Sequence, residues 1–235
     1  MTGDGRRAIP SFPMHSRIAL ALLVLAACGG SGVSDEPVPP VEEVLSESNA
    51  AMSALTSAGF EMSVSGAPIE ITGLEFVDAE GTYLAPNRGE AVLRLRINDI
   101  TIGVGTVSVG DRTWVTDPLT GEWSELERGV GFNPALLFGD EGWTALLSGS
   151  LADPVVHGVE RDRYVVTGVA PAERVARLTA GVVMGQAVEI EFGIDTGSFL
   201  VEMAEFTTTS PDGDTEWVIR LGRFDEPADI EPPLP

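Results

Sequence analysis

The sequence predicts an α+β fold: a strongly curved antiparallel sheet of about ten strands, half-closed over a few short helices. Three observations carry this expectation. Long stretches alternate apolar and polar residues with a period of two. Turn residues recur at hairpin spacing. A short helical interlude interrupts the strands once, in the middle of the chain. A sheet of so many strands does not stay flat; it twists, curls or closes.

The first predicted element is a helix from Val41 to about Ser57, where Val41, Leu45, Ser48, Met52 and Leu55 follow helical spacing and Val44 widens the stripe. Glu42 and Glu43 suit the positive end of its dipole, and Gly59 follows as a stop. Period two then takes over. Ala91, Leu93, Leu95 and Ile97 alternate with Arg94 and Arg96, Val188 to Ile194 alternate with Glu189 and Glu191, and Trp217, Ile219 and Leu221 alternate with Val218 and Arg220. Such strands are dry on one face and charged on the other. Pro86 to Gly89, Asn98-Asp99, Gly110-Asp111, Asp117 to Gly121, Asp195 to Gly197 and Pro211 to Gly213 are the turns of a long meander. In the interlude, Asn133 is a helix cap with Pro134 at the first helical position, and the helix runs through Phe138. A second helix is expected from about Glu141 to Ser148 and a third from Pro171 to Ala180.

The N-terminus reads as an address. Met1 and Met14 are alternative starts. Arg17 precedes a ten-residue apolar run, Ile18 to Ala27, half the roughly 20 residues a helix needs to span a bilayer. Leu25-Ala26-Ala27-Cys28 resembles the lipobox of bacterial lipoproteins. That resemblance implies a signal peptide over 1–27, cleavage before Cys28, and acylation of the Cys28 sulfur as a membrane anchor. Acyl chains contribute about 0.8 kcal/mol per buried methylene, so two or three hold stably. Residues 28–40, Gly/Ser-rich and then Pro-rich, read as a tether with a reach of roughly 20 Å. A single domain over 41–235 follows. An ordinary secretory signal with an incidental cysteine is the blander alternative.

Composition mainly excludes. The chain has 36 acidic residues against 14 basic ones, all arginine, for a net charge of −22. From Cys28 onward 11 arginines face 35 acids, a net charge of −24. Without lysine there is no P-loop and no Schiff-base nucleophile. One cysteine allows neither an intrachain disulfide nor a multi-cysteine zinc site. The negative charge repels a phosphate backbone, so no nucleic-acid partner is expected. A mean hydropathy of +0.15 is too apolar for a wholly disordered chain. His157 lacks a nucleophile elbow to serve and reads as a structural or surface residue. Asp212-Gly213-Asp214 lacks the ligand series of a calcium loop and reads as a hairpin tip. No cofactor and no enzymatic activity are expected.

Several short motifs occur in a particular order: Asp117-Pro118-Leu119-Thr120-Gly121-Glu122-Trp123, Phe132-Asn133-Pro134-Ala135, Leu146-Leu147, Ala152-Asp153-Pro154-Val155 and Val169-Ala170-Pro171-Ala172-Glu173. Behind a lipobox, a tether and a Ser/Ala-rich helix, this order resembles the LppX/LprAFG lipoproteins, over about Val44 to Phe224. The resemblance implies a U-shaped antiparallel half-barrel of LolA/LolB type, with helices on its concave side. It also implies an apolar cavity for an acylated lipid or glycolipid. Two positions depart from the pattern. Glu160-Arg161-Asp162-Arg163 lacks the glycine of a hairpin that often reads Asp-Gly. Gly193-Ile194-Asp195 stands where Trp-Ile-Asp is common, and its glycine either opens space or marks a bulge.

The cavity residues expected on this basis are Leu93, Leu95, Ile97 and Val107 on one run and Ile190 and Phe192 on another. Leu136, Leu137, Trp143, Leu146 and Leu147 are expected from the helices. A filled core shows the same alternation as a lined cavity, so the pattern does not separate them. The function expected is that of an envelope lipoprotein, held by its anchor on the outer face of the cell membrane. It would bind lipid or glycolipid for transport or presentation, with a membrane transporter as a further partner. The second reading is a non-catalytic interaction or sensor lipoprotein, with a filled core and an acidic binding face.

Overall fold

The computed structural model describes residues 38–128, 130–139 and 142–233; the expected signal peptide, Cys28 and most of the expected tether lie outside them. Helix α1 spans Val41–Ala54 and buries Val44, Leu45, Ser48 and Met52. It stops three residues short of the expected end. Asp225 is the cause: its Oδ1 accepts hydrogen bonds from both the Thr56 amide and the Thr56 hydroxyl, at 2.8 Å each, and draws the chain out into strand. Those bonds hold the Asp225 carboxyl below its ordinary pKa.

Among the described residues twelve strands follow in one antiparallel sheet. They are β1 (Ser57–Gly66), β2 (Ile69–Ile71), β3 (Leu74–Leu84), β4 (Arg88–Ile97), β5 (Ile100–Val109), β6 (Arg112–Thr116) and β7 (Trp123–Glu125). After the interlude come β8 (Ala152–Glu160), β9 (Arg163–Ala170), β10 (Val188–Asp195), β11 (Val201–Ser210) and β12 (Gly213–Gly222). The two strands beyond the expected ten are β2 and β7. At three residues each they are too short to show alternation.

The order β7-β6-β5-β4-β3-β1-β12-β11-β10-β9-β8 places the first and last long strands side by side at the centre. Two meanders therefore spread outward as wings, and the edge strands β7 and β8 are joined through the interlude. That connection runs over one face and makes the sheet a half-barrel. The interlude contains α2 (Ala135–Phe138), α3 (Trp143–Ala145) and a π-helical turn, Leu146–Ser150. Asn133 caps α2 as expected, its Oδ1 accepting the Ala135 amide at 3.0 Å. A fourth helix, α4, spans Ala172–Leu178.

Register assigns every side chain to a face. Phe60 and Met62 of β1 stand opposite Leu221 and Ile219 of β12, and Ala204 and Phe206 of β11 continue the row to Phe192 and Ile190 of β10. These residues are buried together on the concave side. The convex side of the first wing carries a ladder of ion pairs: Arg94 with Asp78 and Glu80, Arg96 with Glu75, and Arg112 with Glu125. The convex side of the second wing is acidic. Glu189, Glu191, Glu205 and Glu216 line a shallow groove, and Glu191 stands directly opposite Glu205.

Both departures from the family pattern lie away from the concave side. The β8–β9 hairpin turns on Arg161 (φ 50°) and Asp162 (φ 63°), both left-handed without glycine. A two-residue hairpin of this hand favours glycine at its second position. Asp162→Gly is expected to raise stability by about 0.5–1 kcal/mol, about 1–4 °C in Tm. The Thr196 amide bond to the Asp162 carbonyl survives in that variant. An unchanged or lower melting temperature would remove the strain at this turn. At Gly193 the register with β11 slips by one residue, leaving Glu202 unpaired. The missing side chain leaves room for Arg163, which reaches Glu202 at 3.3 Å. The glycine marks a bulge.

Candidate functional site

The two halves of the concavity differ. In the second wing it is filled. Trp143 stands edge-on to Phe192, with ring centroids 6.1 Å apart at 80°, and Leu146, Leu147 and Val175 are buried in the same cluster. Helix α1 packs on α3, the π-helical turn and β8 from the other side. In the first wing only the end near the β3–β4 hairpin is covered. There α2 lays Phe138 flat on Tyr83, with centroids 4.7 Å apart, and Phe60 meets both Phe138 and Phe132.

The other end of the first wing is open, and it holds an apolar cavity of about 440 Å³. Met62, Phe76, Ala79, Leu93 and Trp217 form its floor from β1, β3, β4 and β12. Its roof comes from two loops, Leu126, Val130, Gly131 and Phe132 ahead of α2 and Thr179, Ala180 and Val182 behind α4. Each has an identifiable anchor. The buried Thr106 hydroxyl donates to the Phe132 carbonyl at 3.0 Å. Gly131 turns at φ 90°, where an added Cβ would lie 2.5 Å from Leu126. The Thr179 hydroxyl donates to the Val175 carbonyl and accepts the Val183 amide. Further along, Gln186 exchanges two hydrogen bonds with the backbone of Thr209.

An aromatic stack runs along the floor, across the strands from β3 to β11. Trp217 lies between Phe206, at 5.8 Å and 7°, and Phe76, at 6.1 Å and 23°. Its indole N–H donates to the buried Thr208 hydroxyl at 2.9 Å, so no polar atom of that ring is left facing the cavity unpaired. Beyond Phe132 and Ala180 the cavity adjoins a vestibule of about 410 Å³ with Asn133, Leu136, Glu173, Arg177 and Met184 on its walls. Leu136 and Met184 are exposed there, Met184 by 72%, and Val130 is exposed at the cavity itself. Among the described residues no cluster of three or more His, Cys, Asp or Glu side chains is arranged to hold a metal. His157 is exposed on β8, with its Nε2 2.7 Å from the Thr167 hydroxyl.

Few of the residues expected from the sequence meet here. Leu93 lines the cavity and Leu136 the vestibule. Leu137, Trp143, Leu146, Leu147, Ile190 and Phe192 are buried in the core instead, and Leu95 is buried on β4 of the first wing, paired with Phe76. Ile97 sits at the tip of the β4–β5 hairpin, 47% exposed. Val107 is on the opposite face altogether. Leu93 and Leu95 pair with Val104 and Ile102, so the even residues of β5 face the concavity. Val107 packs on the convex side with Trp114 and Ile230, beneath the C-terminal segment that Arg88 holds through the Ile230 carbonyl. A one-residue error of parity moves a side chain through the sheet. The residues sequence reasoning missed include Met62 of β1, Trp217 of β12, Phe76 and Ala79 of β3, and the loop residues Phe132 and Val182. A bulge between Phe76 and Asp78 breaks the alternation of β3, and loops have none.

Comparison with curated protein sequences gives no match. Among solved structures, LprF from Mycobacterium bovis superposes with a TM-score of 0.62 at 17% identity, covering 84% of this chain and 98% of that one. LppX from Mycobacterium tuberculosis gives a TM-score of 0.56 at 22% identity, over 81% and 98%. At such identities the likeness establishes the half-barrel fold. The sequence model of the LppX_LprAFG lipoprotein family matches residues 41–230, nearly all of the half-barrel, and the chain belongs to that family.

Proposed function

We propose that this protein is a membrane-anchored envelope lipoprotein that binds an acylated lipid or glycolipid in the first-wing cavity, for transport across the envelope or presentation at its surface. The observation that carries the reading is the cavity itself. About 440 Å³ of apolar space lies under the concave face, within the usual range for ligand sites. Its rim exposes apolar side chains on a body that otherwise carries a large negative charge. Family membership and the lipobox at Cys28 support the same reading. Carriage of this kind is non-catalytic. Burial of several hundred Å² of acyl surface at about 25 cal/mol per Å² contributes on the order of 10 kcal/mol before ordering costs. In this reading residues 1–27 are removed and residues 28–40 tether the domain to the outer face of the cell membrane. A membrane transporter is a candidate partner there.

The acidic convex groove favours a second reading, in which a basic partner docks on the other face of the same body. One experiment addresses the first. The full-length chain, expressed in a bacterium that acylates lipoproteins, is expected in the membrane fraction, and Cys28→Ala in the soluble fraction. Native mass spectrometry of the detergent-extracted protein is expected to find co-purified acyl lipid. Soluble wild type without bound lipid would refute the proposal.

A further inference from the structure

Large exposed apolar side chains are unevenly placed on the turns of this body. Hairpins of an antiparallel sheet alternate between its two ends. The β2–β3, β4–β5, β6–β7 and β11–β12 turns therefore lie at one end, and the β3–β4, β5–β6, β8–β9 and β10–β11 turns at the other. The second group turns on Asn87, Asp111, Arg161, Asp162 and Ser198, and among the described residues none of those turns exposes a large apolar side chain. The first group carries Ile97 and Ile100, the latter 64% exposed, and Leu119. It is also the end at which the cavity meets the surface, because the lining residue Thr72, in the β2–β3 turn, is exposed. Resting on the anchored-carrier reading above, we infer that this lip docks on the membrane. Ile97, Ile100 and Met184 enter the headgroup layer of the bilayer that holds Cys28, and keep the cavity mouth against it.

The lip is continuous with the cavity. Ile97 extends the concave row of Leu93 and Leu95 and pairs with Ile100 across the hairpin. Glu75 stands opposite Arg96, so one step further along β4 brings Ile97 beside Leu74 and the β2–β3 turn, one strand spacing or about 5 Å away. The row thus passes from Leu93 in the cavity floor, through buried Leu95, to an exposed tip. On the roof, Met184 lies two residues beyond the lining residue Val182, in a segment that Gln186 ties to Thr209 near the same end of β11. Floor and roof of one cavity each end in exposed apolar side chains. Singly such residues need no explanation; gathered at one opening they mark a contact surface.

The tether and the charge identify what is contacted. A reach of roughly 20 Å from an acylated Cys28 keeps the domain beside the bilayer. A surface held so near behaves as if at about millimolar concentration, so weak apolar contacts suffice. From Cys28 onward the chain carries −24, and Asp99 stands between the two isoleucines at the tip. Neither attracts anionic headgroups, so the contact is apolar and not electrostatic. That fixes a sign: docking is firmer on zwitterionic than on anionic lipid, the reverse of a basic patch. Ile97 and Ile100 are each about half exposed, and burying that half contributes about three- to tenfold apiece to docking.

The test uses the full-length acylated protein reconstituted in vesicles of phosphatidylcholine, or of phosphatidylcholine and phosphatidylglycerol in equal parts. Cys28 is the sole cysteine and is blocked by its acyl chain, so Met184→Cys and Asn87→Cys each take one polarity-sensitive thiol label, at the lip and at the opposite end. The Met184 label is expected to shift to the blue and to be quenched by lipids bearing a nitroxide near the headgroup; the Asn87 label is expected to do neither. Ile97→Ser with Ile100→Ser is expected to weaken docking, read at the Met184 label, at least about tenfold, with thermal melts showing the variant folded. Docking is expected to be firmer on phosphatidylcholine, with the difference shrinking as salt is added. A Met184 label as wet as the Asn87 label would overturn the inference, and that comparison does not depend on the serine variant folding. So would a label that stays inserted in the folded serine variant, or firmer docking on the anionic vesicles. Neither isoleucine lines the cavity, so co-purified acyl lipid is expected to be unchanged in that variant. Bound lipid without docking would sink the docking surface and leave the carrier reading standing; docking by a protein that never holds lipid would do the reverse.

Discussion

Replacing Ala79 with tryptophan is expected to weaken lipid binding by about fifty- to a hundredfold while leaving the fold intact. Ala79 is buried in β3 and faces the open cavity beside Met62 and Leu93, so a large side chain there has space to occupy. An aromatic side chain buries about 150–250 Å². If about 100 Å² of that is taken from the ligand at about 25 cal/mol per Å², the loss is on the order of 2.5 kcal/mol, fifty- to a hundredfold in affinity. Titration of wild type and variant with the same acyl probe measures it, and thermal melts of both establish that the variant is folded. A folded Ala79→Trp protein with undiminished affinity would place the lipid elsewhere. Ile190→Trp makes the contrast. That position is in the filled half and has no room, so the same change there costs stability through overpacking and says little about the cavity.

Trp217→Ala is expected to be among the most destabilising single substitutions in the protein. Trp217 lies on the central strand β12, 1% exposed, between two aromatic rings, with its N–H bonded to Thr208. Truncation of such a side chain costs about 3–5 kcal/mol, against a total stability of about 5–15 kcal/mol for a domain. Urea denaturation measures the difference. Trp217→Phe keeps the stack and gives up the hydrogen bond, and is expected to lose far less, about 1–2 kcal/mol. A loss below about 1 kcal/mol in the alanine variant would mean the stack contributes little to the stability of the fold.

Much of the fold is legible in the sequence because its elements are local. Asn133-Pro134 sets a helix start through one side chain and one fixed φ angle. Trp217, Ile219 and Leu221 declare a dry face by spacing alone, and all three are buried. Order and spacing of weak motifs identify the family, and the match over residues 41–230 agrees. Where local signals failed, a distant residue had intervened. The end of α1 is an example: helical spacing continues to Leu55, and Asp225, 169 residues further along than Thr56, overrides it. The absent glycine at Arg161-Asp162 and the glycine at Gly193 are the two departures from the family pattern. The structure moves both to the rim and the convex side, where they bear on turn strain and on the Arg163–Glu202 pair.

The candidate site was less legible, for a reason that lies in the topology. Alternation divides residues between two faces of a sheet, and here both halves of the concave face are apolar. Ile190 and Leu93 therefore look alike in the sequence, although one is fully buried in the filled half and the other lines open space. Which half is filled depends on where α1, α3 and the π-helical turn come to rest. That follows from the pairing of β1 with β12 and from the path of the interlude between the two edge strands. The amino-acid order by itself determined the helices, the long strands, the turns, the acidic surface and the family, because each is written in neighbours along the chain. Only the tertiary structure decided the cavity, because an unfilled volume is a property of residues far apart in sequence and has no period to read.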